Sequence, residues 1–94
     1  MITREGNALR IEGEVTLATM GELLPEARRL MLPEVAAVDV GGVTEADSSL
    51  VALLLDLVRT AQVAGRPLAI SRPTAGLASL AGLYGVDALL FSDR

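Results

Sequence analysis

The stretch from Val35 to Ala64 constrains this chain more than any other. Val35 to Val40 is short, apolar and mostly β-branched or small, with Asp39 as its only charge. That pattern reads as a central strand. Gly41-Gly42 is expected to break the strand, leaving Val43-Thr44-Glu45-Ala46 as a loop. A helix is expected from about Ser48 to Ala64, with Gly65 as its C′ glycine and Pro67 as a stop signal. Leu68 to Ser71 reads as another buried strand, so strand, helix and strand form a βαβ crossover.

The flanks extend the same logic. Ile2 to Arg4 and the alternation of Leu9 and Ile11 with Arg10 and Glu12 read as a hairpin around Glu5-Gly6-Asn7. Thr16 to Leu32 is helical, with a capping-box spacing at Thr19 and Glu22. Pro25 lies too deep for a first turn begun at Met20, so either the helix kinks there or, the reading favoured, its regular part starts near Leu24 with Pro25 at the first helical position. Ala27, Leu30 and Met31 then face inward. Thr74 is placed to cap a third helix that Gly85 ends, and Val86 to Phe91 forms a last short turn. The order β-β-α-β-α-β-α-(α) predicts a single α/β domain over residues 1–94, a small mixed sheet of about four strands packed with three to four helices.

Composition narrows function by exclusion. The chain has 94 residues, of which 51% are hydrophobic and only 2% aromatic. Its mean hydropathy is +0.48, high for a domain that hides only roughly 60–65% of its unfolded surface. Excess apolar surface calls for a membrane or a partner. No run approaches the roughly 20 apolar residues of a membrane span, and no basic segment precedes an apolar one at Met1, so the expected location is cytoplasmic. Cysteine, histidine and lysine are all missing, which removes thiolate, imidazole and Schiff-base chemistry, zinc sites and the lysine of a phosphate-binding loop. A net charge of −4 and two aromatics argue against nucleic acid as a partner. No enzyme activity, metal or cofactor is expected.

The segment Asp39 to Leu50 presents Ser48 and Ser49 at a helix N-terminus, where backbone N–H groups are unpaired and Asp47 can cap. Capping alone accounts for all three residues. On a helical wheel, Leu53, Leu57, Leu50, Ala61, Leu54, Val58, Val51 and Leu55 fill an arc of roughly 200°, about twice the stripe that covers a sheet. The surplus flank meets either neighbouring helices of the same domain or a second protein.

These residues resemble the STAS domain family, shared by anti-sigma factor antagonists and the cytoplasmic tails of sulphate transporters. The resemblance rests on Gly13-Glu14-Val15, Val38-Asp39-Val40 and Val43-Thr44-Glu45-Ala46-Asp47-Ser48-Ser49. Leu50 to Leu55 and Leu80-Ala81-Gly82-Leu83-Tyr84-Gly85-Val86 look most like the MlaB-like branch, the small STAS subunits of phospholipid ABC transporters that maintain outer-membrane lipid asymmetry. The resemblance implies a non-catalytic subunit, bound to the ATPase of such a transporter and so peripheral to the inner membrane. Its docking residues would be Thr44, Glu45, Asp47, Ser48, Ser49, Val51, Leu55 and Tyr84. The alternative it implies is an anti-sigma factor antagonist whose partner is an anti-sigma factor kinase, with Ser48 as phosphoacceptor. Where the family has glycine this chain has Leu50, expected to obstruct the approach of a kinase backbone. Tyr84 is either a partner contact or packing over the domain's own edge, and Arg28, Arg29, Arg59 and Asp56 read as solvated surface.

Overall fold

A computed structural model describes residues 1–91. Four strands, β1 (Ile2–Glu5), β2 (Ala8–Val15), β3 (Ala37–Ala46) and β4 (Ala69–Ser71), form one sheet in the order β1-β2-β3-β4. β1 and β2 are antiparallel; β2, β3 and β4 are parallel. Four helices, α1 (Leu17–Leu30), α2 (Ser48–Val63), α3 (Ala75–Leu83) and α4 (Asp87–Phe91), complete the expected order. Successive crossovers step along the sheet in one direction, so the right-handed rule places α1 and α2 on the same face. They touch there, and α2 also packs against α3 and α4. No helix among the described residues is long and apolar enough to cross a membrane.

Alternation along the strands decides which face is core. Leu9, Ile11 and Val15 of β2 and Val38 and Val40 of β3 point under the helices and are fully buried. Between them, Ala8, Ala37 and Ala69 form a row on the other face, which carries no helix among the described residues. Its charges are matched within the chain. Arg10 lies 3.7 Å from Glu5 and 3.5 Å from Glu12, and Arg72 grips Asp39 with Nε at 3.0 Å and an outer nitrogen at 2.7 Å.

Three expectations are corrected. First, β3 does not stop at Gly41-Gly42 but runs to Ala46. It gains one residue on β2 between the pairs Arg10–Asp39 and Glu12–Gly42, and another between Gly13–Val43 and Glu14–Glu45. The glycines serve close approach: a Cβ on Gly41 would lie 2.7 Å from the Arg72 guanidinium, and one on Gly42 2.8 Å from Glu12 Cγ. Second, α1 is regular from Leu17, with Pro25 in its interior and Thr16 rather than Thr19 at its N-cap. Pro25 is exposed, as is Gly21 four residues earlier, so the carbonyl that loses its donor faces water. Thr19, expected as the cap, instead accepts the Thr16 N–H at 3.0 Å. Third, β4 is half-buried rather than buried, as a sheet edge must be.

The remaining helix ends follow the sequence. Gly65 and Gly85 take left-handed φ values of 72° and 71°. Each closes its helix with two backbone bonds, Gly65 to Gln62 with Arg66 to Ala61, and Gly85 to Gly82 with Val86 to Ala81. The Thr74 hydroxyl accepts the Leu77 N–H at 3.0 Å.

Candidate functional site

The wide apolar arc of α2 is spent inside the domain. Leu50, Val51, Leu53, Leu54, Leu57, Val58 and Ala61 are all buried, because α2 is flanked by α1 on one side and by α3 and α4 on the other. Val51, expected as a docking residue, is only 4% exposed and has no surface to offer a partner. Leu55 is half-buried and packs on the core from the edge of the arc. Leu50 is 1% exposed; its side chain points inward and does not crowd the surface at Ser48, contrary to the steric expectation.

At the other end of this logic is the tip where the chain enters α2. Thr44, Glu45, Asp47 and Ser48 are exposed there and Ser49 is half-buried. The Asp47 carboxylate accepts from two helices at once, the Ser49 N–H at 2.8 Å on Oδ1 and the Leu17 N–H at 3.1 Å on Oδ2. One side chain therefore caps α2 and ties it to the first turn of α1. The Ser49 and Leu17 amides hold its pKa below the ordinary carboxylate value. At neutral pH it is ionised and engaged in this bridge.

A test of the bridge follows from its acceptor count. Asparagine caps helices about as well as aspartate but has one acceptor oxygen, so Asp47→Asn cannot serve both amides. The variant is expected to melt several degrees below the wild type at neutral pH. Because the folded-state pKa is depressed, the contribution is present above the unfolded value of about 3.9 and is lost as pH falls through the lower folded value. The two melting curves should draw together as pH falls from about 5 through the depressed folded-state value. A gap that is constant across that range would show that the carboxylate is not the link.

Around this bridge lies a strip that sequence reasoning missed. Leu17, at the first turn of α1, is 79% exposed, and its amide sits on the same carboxylate that precedes Ser48. Ala52 is exposed one turn after Ser48, on the same helical face. From there a shallow groove runs between the two helices, lined by Met20, Leu24, Ala52 and Leu53 and ending at Arg28 and Asp56. Those two are not merely solvated; the guanidinium meets the carboxylate at 3.3 Å through two nitrogens and joins α1 to α2. Leu17 carried no periodicity signal, since only the fold reveals that its side of α1 is left open at the N-terminus. On the other side of the tip, Val43 to Ala46 and the start of α3 at Thr74, Gly76 and Leu77 enclose a second shallow groove that includes Thr44 and Glu45.

Tyr84 does not join this cluster. It is the C-cap of α3, the helix of nine residues whose N-terminal end lines the Thr44 groove. It lies one turn, about 6 Å along the axis, beyond Leu80, the last α3 residue that lines this groove, and is not itself part of the lining. There it is 54% exposed beside Leu83 at 77%, so it does not pack flat over the domain edge.

The family model described as "Mlab, STAS domain" matches residues 1–91. No curated protein matches the sequence. Among solved structures, the anti-sigma factor antagonist SpoIIAA in its unphosphorylated form superposes with a TM-score of 0.71 at 13% identity, over 97% of this chain and 84% of that one. The crystal structure of Mglu is similar at a TM-score of 0.56 and 19% identity, over 80% of this chain and 20% of that one. At such identities these two likenesses establish the fold, a four-stranded mixed sheet with four helices, while the family match spans the sequence itself. The chain belongs to the MlaB-like STAS domain family.

Proposed function

We propose that this chain is a non-catalytic subunit that docks on the ATPase of an ABC-type phospholipid transporter, one that maintains outer-membrane lipid asymmetry, and so sits in the cytoplasm at the inner membrane. One observation carries the reading most directly. Leu17, Ser48 and Ala52 are exposed, uncharged side chains at the paired starts of α1 and α2, while most of the broad apolar arc of α2 is internal and its exposed Val63 lies at the opposite end of the helix. An exposed leucine beside small side chains suits close packing of a partner. Thr44, Glu45 and Ser49 flank the strip; Asp47 acts through it as the tie that sets the two helices. Membership of the MlaB-like family supports the choice of an ATPase.

The test is binding of the purified chain to the purified ATPase subunit. Ser48→Glu should raise the dissociation constant by about tenfold or more, since it carries an unpaired charge into the interface beside Asp47. Undiminished binding would place the interface elsewhere.

A second reading is favoured by the exposure of Ser48 at the first position of α2, with Leu50 turned away from it. In this reading an anti-sigma factor kinase phosphorylates Ser48. A phosphate of about −1.5 to −2 charges is favoured at a helix N-terminus and repelled by Glu45 and Asp47. Incubation with such a kinase and ATP would add the mass of one phosphate, lost in Ser48→Ala; no added mass eliminates the reading.

A further inference from the structure

We propose that the groove between β2 and α1 is a separate docking site for a protein segment that carries an apolar side chain flanked by arginine or lysine. It lies on the flank of α1 that faces β1 and β2, away from α2, so it goes beyond the ATPase-docking strip and is tested independently of it.

The groove is built from Met1, Gly13, Glu14, Thr19, Glu22 and Leu23. Leu23 is its buried apolar member. Gly13 is left-handed at φ +86°, and a Cβ placed on it would meet nothing within 4 Å, so the space above the strand is open. Met1 is 71% exposed at the margin, and an unbranched thioether adapts its shape to what it covers. The groove holds about 370 Å³, at the low end of ligand sites, but it is not enclosed. It continues past Met1 and Leu23 into a depression reaching Glu26. A small molecule needs most of its surface surrounded, whereas an elongated open groove suits a length of chain.

Charge selects which chain. Glu12, Glu14 and Glu22 stand along the groove. Glu12 is 3.5 Å from Arg10, and the Glu14 carboxylate accepts the Thr16 hydroxyl at 2.9 Å. Among the described residues neither Glu14 nor Glu22 has an ion pair. The Met1 nitrogen donates to the Glu12 carbonyl at 2.8 Å. An apolar side chain seated between Met1 and Leu23 would bring flanking cations to Glu14 and Glu22. An acidic segment or an anionic headgroup would be repelled by the same carboxylates.

The probe is a capped peptide of alternating arginine and leucine, titrated into the intact chain while backbone amides are followed by NMR. Two control peptides replace its leucines with serine or its arginines with glutamate. Shifts should concentrate at Gly13, Glu14, Thr19, Glu22 and Leu23, and both controls should bind at least several-fold more weakly. Glu14→Gln with Glu22→Gln, both on exposed side chains, should raise the dissociation constant by about fivefold, as two exposed ion pairs predict. Shifts spread over Glu5, Glu34 and Glu45, equal binding of the serine peptide, or unchanged affinity of the double variant would overturn the proposal.

Discussion

Leu57→Ala should lower the unfolding free energy by about 3 kcal/mol, within the range for a leucine truncated in a close-packed core. Leu57 is 1% exposed within the α2 arc, in the core cluster of the sheet and helices, and α1, α3 and α4 all pack against α2. A domain of this size has roughly 5–14 kcal/mol in total, so the loss is a large share and should depress the melting temperature by about 12–24 °C. Leu55→Ala, on the half-buried edge of the same arc, should cost well under half as much. Chemical denaturation of the two variants distinguishes the alternatives left open by the helical wheel. Equal and small losses would mean that the arc is not internal and that a partner completes its burial.

Ala52→Arg should raise the dissociation constant for the ATPase by about a hundredfold, because a long charged side chain enters a close-packed contact with no partner prepared for it. Ala52 is exposed and lies one turn beyond Ser48, so the melting temperature of the free chain should stay within a degree or so of wild type. This separation of binding from folding makes the substitution more informative than any change to Asp47. Loss of Asp47 alters the helix tie and the surface together. A variant that binds as tightly as wild type would remove the strip from the interface.

Much of this architecture was legible in the sequence because the signals were local. Thr74, Gly65 and Gly85 set helix ends by capping and left-handed turns, and the alternation of Leu9, Ile11, Val38 and Val40 declared one buried sheet face. The errors came where a residue answered to something distant in sequence. Gly41 and Gly42 look like strand breakers until Arg72 and Glu12 are seen lying over them. Pro25 looks like a helix start until its face of α1 is known to be exposed. The breadth of the α2 stripe was read correctly, but whether neighbouring helices or a partner absorbs it depends on topology, which put α1 on one side and α3 with α4 on the other. Of the residues expected to dock, Ser48 and its neighbours do gather at one exposed tip. Val51 is core and Tyr84 lies one turn beyond the last α3 residue of the groove at the tip, because side-chain type alone does not report which part of a helix faces a groove. Asp47 combines the two readings of its motif: it caps α2, and the same carboxylate brings Leu17 beside Ser48.

Docking on the ATPase requires the exposed surface at the joined starts of α1 and α2, where Leu17, Ser48 and Ala52 lie beside Asp47. Calorimetric titration of the ATPase subunit into the wild-type chain, Ala52→Arg and Tyr84→Ala tests this most directly. Wild type is expected to form a saturable complex, with unchanged affinity for Tyr84→Ala and a loss of about a hundredfold for Ala52→Arg. No complex with the wild-type chain, or equal binding by wild type and Ala52→Arg, would contradict docking there.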